Sequence, residues 1–377
     1  MRVNRLRLTN FRNITRAELT FDKRFVLFLG DNAQGKTNLL EALYTVGFLR
    51  SFRTRISSHL IKEGEKSAAI EAEVEKFGNT YDVKIAVTSD EKRVWVNGKP
   101  ALKSEDYFGL LSVVLFTPDD LSVVSAGPSQ RRDFLDRLIF ASNPQYWKTM
   151  LDFKRAAKER SAALSRRVPR LLSAFNAGYA KLAARVITAR NEAVALVSPV
   201  AAETAARLSD NADALELKYR CGARSDAFKT ADENEKMMRL KMKECEAKEL
   251  DAGCSLIGPG RDDMKIYVNG KDAANFASQG QRRTAALALK AAERLVIAEK
   301  LSDKPVMLLD DLSSELDLSR RGRLFSTLLA DPDAQVFLTA TEPALAALLP
   351  RGEAAAFKIN NGEATRMADL SDLKETK

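Results

Sequence analysis

Gly30-Asp31-Asn32-Ala33-Gln34-Gly35-Lys36-Thr37 has the G-x-x-x-x-G-K-[ST] spacing of a phosphate-binding loop. Phe25-Val26-Leu27-Phe28-Leu29 leads in, apolar throughout, and predicts a buried strand. Asn38-Leu39-Leu40-Glu41-Ala42-Leu43-Tyr44 leads out with helical spacing. Strand, loop and helix in this order supply the context the spacing needs. Glycines let backbone N–H groups close around phosphate oxygens, and the helix N-terminus adds its partial positive charge. Lys36 is placed to reach the β- and γ-phosphates, and the Thr37 hydroxyl to ligate Mg2+. The alternative is a glycine turn that binds nothing; the full spacing and both flanks weigh against it.

A companion element lies far downstream. Val306-Met307-Leu308-Leu309 predicts a short buried strand ending in Asp310-Asp311. Asp310 would hold Mg2+, directly or through water, and Asp311 would orient or deprotonate an attacking water. An apolar run followed by two aspartates says little alone; its weight comes from the phosphate loop upstream. Ser278-Gln279-Gly280-Gln281-Arg282-Arg283 stands directly before a predicted helix. It reads either as a second phosphate-binding surface or as a simple helix cap. Ser313-Ser314-Glu315-Leu316-Asp317 follows the paired aspartates.

Composition bounds the rest. The 377 residues suffice for two or three domains, or for one large core with an insertion. Charged residues make up 29% and hydrophobic residues 45%, the balance of a soluble globular chain. The formal net charge of +9 favours a polyanionic partner, nucleic acid first, against the alternative of a solvated basic surface. Cys221, Cys245 and Cys254 form no Cys-x-x-Cys and read as thiols of a reducing cytosol. His59 is the sole histidine, which leaves little for a histidine triad or metal cluster; it reads as structural or surface. The opening MRVNRLRLTNF alternates like a strand and lacks an apolar signal core, and no apolar run reaches spanning length. The expectation is a cytoplasmic chain without a membrane segment.

Along the chain, Arg2–Leu8 predicts a strand. Arg50-Ser51-Phe52-Arg53-Thr54-Arg55 is basic with one aromatic, and reads equally as a nucleic-acid contact or as solvated loop arginines. Ala68–Glu75 and Tyr81–Val87 alternate and form a hairpin, Val94-Trp95-Val96 with Asn97-Gly98 signals another, and Val113–Phe116 is a buried strand. From about Ser129 to Leu250 the texture is helical, with Pro169 and Pro199 expected at ends or kinks. Arg131, Arg132, Lys148, Lys154, Arg155, Lys158, Arg160, Arg166, Arg167 and Arg170 crowd its first half, and their density points to a DNA-facing surface. Sheet signals return with Lys265–Val268 and Val336–Thr339; helices are expected over Gly280–Lys300, Ser319–Leu329 and Ala344–Leu349, and Phe357–Asn360 as a last edge strand.

GDNAQGKT, SQGQRR, LLDD and SSELD in this order resemble the ABC-type ATPases, and more nearly the SMC-like branch and the RecF family within it. Asn10-Phe11-Arg12-Asn13, Ser51-Phe52-Arg53-Thr54 and Phe116-Thr117-Pro118-Asp119-Asp120-Leu121 fit that family. So do Pro128-x-x-Arg131-Arg132-x-Phe134-Leu135-Asp136 and Leu256-Ile257-Gly258-Pro259-x-Arg261-Asp262-Asp263. The resemblance implies an α/β fold: an ABC-type ATPase head of mixed sheets with an inserted α-helical lobe. The head would comprise 1–125 and 251–377, and the lobe 126–250. It implies a bacterial DNA repair protein that binds ATP, Mg2+ and double-stranded and gapped DNA, forms an ATP-dependent homodimer, and hydrolyses ATP slowly. It implies work with RecO and RecR to promote RecA loading.

By position, the resemblance gives Gly30 to Asn38, namely Gly30, Asp31, Asn32, Ala33, Gln34, Gly35, Lys36, Thr37 and Asn38, to the nucleotide. Thr37 and Asp310 take the metal, and Asp311 with Lys36 the catalytic role. Ser278 and Gly280 would contact the γ-phosphate of ATP on the other protomer. Arg50, Arg53, Arg55, Lys154, Arg155 and Lys158 are the candidate DNA contacts. The chain departs from the pattern in having Asp311 where many ABC-type ATPases have glutamate, and Ala340-Thr341-Glu342 where a histidine usually follows the strand. Thr341 or a neighbour would then sense the γ-phosphate. Gly260 stands where the family commonly has histidine, and Gln130 is the candidate for the glutamine loop. The competing readings are a structural DNA-tethering SMC-like ATPase, a transporter ATPase subunit and a nucleotide-binding regulator without turnover.

Overall fold

The computed structural model describes residues 1–103, 106–223, 226–311, 333–341, 345–346, 349–350 and 352–367. The chain divides into two compact units, Met1–Asp120 with Ile297–Lys377, and Leu121–Val296.

The first unit begins with β1 (Arg2–Phe11) and β2 (Ile14–Thr20), followed by β3 (Phe25–Leu29) and α1 (Lys36–Phe48). β4 (Ala68–Lys76), β5 (Asn79–Val87), β6 (Lys92–Val96), β7 (Lys99–Pro100) and β8 (Val113–Phe116) follow. Alternation of apolar and polar residues in β1, β4 and β5 places one face of each strand in the core, and they form an antiparallel sheet ordered β2-β1-β4-β5-β6-β7.

The second unit contains α2 (Pro128–Ser142), α3 (Tyr146–Ser165) and the 40-residue α4 (Pro169–Leu208). Pro169 occupies the first turn of α4, where its missing N–H is harmless, whereas Pro199 lies inside the helix. β9 (Leu215–Arg220) then interrupts the expected helical stretch, and α5 (Ala231–Ala252) resumes it. β10 (Asp263–Val268) pairs with β9 and with the short β11 (Lys271–Asp272); α6 (Ala273–Phe276) and most of α7 (Gln279–Leu301) complete the unit. Three buried guanidiniums tie it together. Arg131 binds Asp263, Arg160 binds Glu249, and Arg190 binds both Asp136 and Asp262. Arg131 and Arg160 therefore do not belong to an exposed basic surface, as their sequence neighbourhood had indicated.

β12 (Val306–Leu309), β13 (Val336–Ala340), β14 (Ala354–Asn360) and β15 (Glu363–Arg366) return the chain to the first unit. With β3 and β8 they build a second sheet, ordered β15-β14-β3-β13-β12-β8. All its neighbours are parallel except β14–β15. Every residue of β3, β8, β12 and β13 is buried, as continuous apolar strands covered on both faces require. β14 is an inner strand, not the edge expected for Phe357–Asn360; β15 covers it. Phe21, Phe28, Phe337 and Phe357 pack with centroids 4.9–6.4 Å apart, Phe21 edge-on to the other three, Phe28 stacked on Phe337 and tilted against Phe357. The Gln335 amide stitches the sheets together, accepting from the Val3 N–H at 2.7 Å and donating to the Val3 carbonyl at 2.9 Å. The helix expected over Ser319–Leu329 lies outside the described residues, as does half of that over Ala344–Leu349.

Candidate nucleotide site

The phosphate loop leaves the carboxyl end of β3 and enters α1 at Lys36. Its two glycines are sterically required. A Cβ on Gly30 would lie 2.3 Å from the Ile359 carbonyl oxygen of β14, and one on Gly35, at φ 113°, would lie 2.9 Å from Asn13 Oδ1. The turn after β14 braces the loop: the Asn361 N–H donates to Gln34 Oε1 at 2.7 Å and the Gly362 N–H to the Gln34 carbonyl at 2.8 Å. Asn38 Nδ2 donates to Asn13 Oδ1 at 2.8 Å. Asn32 and Ala33 are exposed and line the pocket.

Lys36 Nζ donates to the carbonyls of Gly30 and Asp31 at 2.6 and 2.8 Å. Burial pulls its pKa down, while Asp311, Asp310 and Asp31 push it back. Asp310 follows β12, and its Oδ1 accepts from Thr37 Oγ1 at 2.9 Å and from Thr339 Oγ1 at 2.7 Å. Burial raises the Asp310 pKa; the two hydroxyls oppose that shift and Asp311 adds to it. Two sequence segments 273 residues apart thus meet because β13 seats β3 and β12 on either side of itself.

Metal fit follows from the donor set. With its proton on Asp310, Thr37 keeps its lone pairs for a cation. The described residues contain no cluster of three or more His, Cys, Asp or Glu that would hold a metal alone. One carboxylate, one hydroxyl and substrate phosphates are the donors Mg2+ takes, so these residues fit it.

Asp311 lines the same pocket, at φ 41°, with its N–H donating to Thr339 Oγ1 at 2.9 Å. The pocket, about 510 Å3, also has walls that the sequence did not announce: Arg12, Arg53, His59 and Ile61. Arg12 and Arg53 are turned by Glu41 of α1, a contact across 29 residues for Arg12 that has no local signature. His59 is exposed at the rim, with Nδ1 3.2 Å from the Thr54 hydroxyl, so the sole histidine stands beside the loop.

Ser278 and Gly280 belong to the other compact unit. There Ser278 Oγ accepts from the Gln281 N–H at 3.2 Å and Gln281 Oε1 accepts from the Ser278 N–H at 3.0 Å, a reciprocal cap on α7. Ser313–Asp317 lies outside the described residues. Of the candidate DNA contacts, Arg53 and Arg55 are exposed and Arg50 is half-buried with its guanidinium 5.7 Å from the Phe48 ring centroid. Lys154, Arg155 and Lys158 are exposed on α3. No helix among the described residues is long and apolar enough to cross a membrane.

The sequence profile of the RecF/RecN/SMC N terminal domain family matches residues 2–364. The DNA replication and repair protein RecF of Lysinibacillus sphaericus is 33% identical over 347 residues, which span 90% of this chain and 93% of that one. RecF of Listeria welshimeri is 36% identical over 352 residues, 90% and 93% of the two chains. Among solved structures, the recombination mediator protein RecF with ATPrS in the RecFOR pathway superposes with a TM-score of 0.86. It is 28% identical and covers 97% of this chain and 98% of that chain. The Smc head domain of Pyrococcus furiosus, 16% identical over 99% and 98% of the two chains, superposes at 0.56 and shares the fold. The chain belongs to the RecF family of the SMC-like, ABC-type ATPases.

Proposed function

We propose that this chain is an ATP-gated DNA clamp that acts in the cytoplasm at single-strand gaps and single-to-double-strand junctions. ATP is cradled by the phosphate loop, with Lys36 leaving the Gly30 and Asp31 carbonyls for the β- and γ-phosphates. The observation that carries this reading is the Thr37–Asp310 hydrogen bond, which joins loop and acidic strand into one metal-ready pair. Mg2+ held there would neutralise charge on the phosphates. Asp311 orients the attacking water; its side chain is one methylene shorter than glutamate, and turnover is slow, as suits a switch. The nucleotide-bound relative RecF-ATPrS supports the nucleotide assignment.

Ser278 and Gly280 complete the site of a second protomer in this reading. The γ-phosphate contacts then exist only in the pair, so ATP drives association through mass action. Pairing aligns Arg50, Arg53, Arg55, Lys154, Arg155 and Lys158 on DNA, whose phosphates make binding strongly salt-dependent. The RecFOR context of the relative supports RecR and RecO as partners; RecA loading is the outcome this reading expects. DNA binding measured against salt, with and without an ATP analogue, tests the gate. Tighter binding only with the analogue is expected; equal binding in both states contradicts it. An ATPase assay with an Asp311→Asn control separates this switch from a regulator without turnover.

A further inference from the structure

β13 runs between β3, which delivers the phosphate loop, and β12, which delivers Asp310 and Asp311. Thr339, the penultimate residue of β13, pairs with Phe28 of β3 and is 1% exposed. Its hydroxyl bonds both residues of the acidic pair. A backbone N–H can only donate, so Thr339 Oγ1 accepts from Asp311 and gives its own proton to Asp310 Oδ1. The strand centre thereby touches both carboxylate-bearing residues, while Thr37 reaches the same Asp310 oxygen from the loop side.

We propose that Thr339 is the positioning residue of the acidic pair. Its hydroxyl fixes the Asp310 carboxylate for the metal and pins the backbone of Asp311 so that its side chain faces the pocket. The proposal rests on the ATPase reading above. Two features fit such a residue. Asp310 is buried, and a buried carboxylate keeps one orientation only where hydrogen bonds hold it, as the Thr339 and Thr37 hydroxyls do here. Asp311 holds φ 41°, in the left-handed region that aspartate visits at small cost, and the Thr339 hydroxyl accepts its N–H there. Thr339 supplies a donor to the first residue and an acceptor to the second with one atom. A strand hydroxyl at this point does what a loop side chain, free to change rotamer, cannot.

Thr339→Ser, Thr339→Ala and Thr339→Val test it. Valine keeps the volume and removes the hydroxyl; serine keeps the hydroxyl. Binding of a fluorescent ATP analogue is titrated with EDTA and with Mg2+, steady-state turnover is resolved into kcat and KM, and thermal melting follows the fold. The expected result is binding in EDTA within about twofold of wild type for all three. In the alanine and valine variants the Mg2+ enhancement of affinity and kcat both fall about 10- to 100-fold, the range for outer-shell partners of metal ligands, and serine restores both. Valine with wild-type Mg2+ enhancement and kcat overturns the proposal alone. A wild-type chain whose nucleotide binding ignores Mg2+ overturns the phosphate-site reading and the proposal with it.

Discussion

Arg12 grips Glu41 through two nitrogens, Nε at 2.8 Å and Nη2 at 2.6 Å, so that a fully buried carboxylate on α1 holds a guanidinium at the nucleotide pocket. Ser51 Oγ donates to the same carboxylate, and Arg53 Nη1 stands 3.6 Å away. Arg12 keeps some contact with solvent, so removing the carboxylate costs its hydrogen bonds more than it strands a charge. Glu41→Ala is expected to destabilise the protein by about 1.5–3 kcal/mol in urea unfolding. Glu41→Gln keeps the volume and some hydrogen bonds and loses less. Wild-type stability in the alanine variant would contradict the role given to this pair.

In the proposed site Lys36 carries the charge that would meet the phosphates. Charge-assisted hydrogen bonds contribute about 1.5–3 kcal/mol each, so Lys36→Ala weakens nucleotide binding about 10- to 100-fold. It abolishes ATP-dependent pairing with it. A calorimetric titration reads the first effect and sedimentation the second; a variant that still dimerised with ATP would sink the gating idea.

Acid acts on the site through Asp310. Its folded pKa lies above the unfolded value, chiefly because it is buried. Between those two values the folded state binds the extra proton, so this group's contribution to stability is full below the unfolded pKa and is lost as pH rises through the folded one. Metal binding has the opposite sign, since it needs the ionised carboxylate. Mg2+-dependent nucleotide affinity is therefore expected to fall on acidification at a higher pH than an ordinary aspartate would give. Asp310→Asn removes that dependence. A wild-type affinity flat through the carboxylate range would refute the assignment.

Ser278 caps α7 within its own chain, and losing a cap costs about 1 kcal/mol. Ser278→Arg is expected to leave nucleotide binding by the monomer intact and to block pairing, because a bulky cation would replace a small hydroxyl where the proposed pair seats the partner's nucleotide. Nucleotide titration and mass measurement on one sample separate the effects. Loss of nucleotide binding in the monomer would count against an in-trans role.

What the sequence revealed, and what it hid, follows from range. The phosphate loop with its flanking strand and helix is a local pattern readable from spacing, and the strand ending in Asp310 became readable once that loop stood upstream of it. β9 was hidden although Leu215-Glu216-Leu217-Lys218 alternates, because long helical segments on both sides dominate the composition. The alanines opening β14 have little strand preference; the parallel pairing Ala354↔Phe25 to Lys358↔Leu29 makes them a strand. Arg131 and Arg160 read as surface charges because their partners, Asp263 and Glu249, lie 132 and 89 residues away. Thr339 looked like one more residue of an apolar strand until β3 and β12 closed around it.

The most direct test of the clamp is molecular mass in solution by light scattering, measured without nucleotide, with ADP and with a slowly hydrolysed ATP analogue. A monomer that becomes a dimer only with the ATP analogue, and that then binds gapped DNA more tightly, is the predicted result. A monomer under every condition would contradict it, leaving the phosphate loop in place and removing the role given to Ser278 and Gly280.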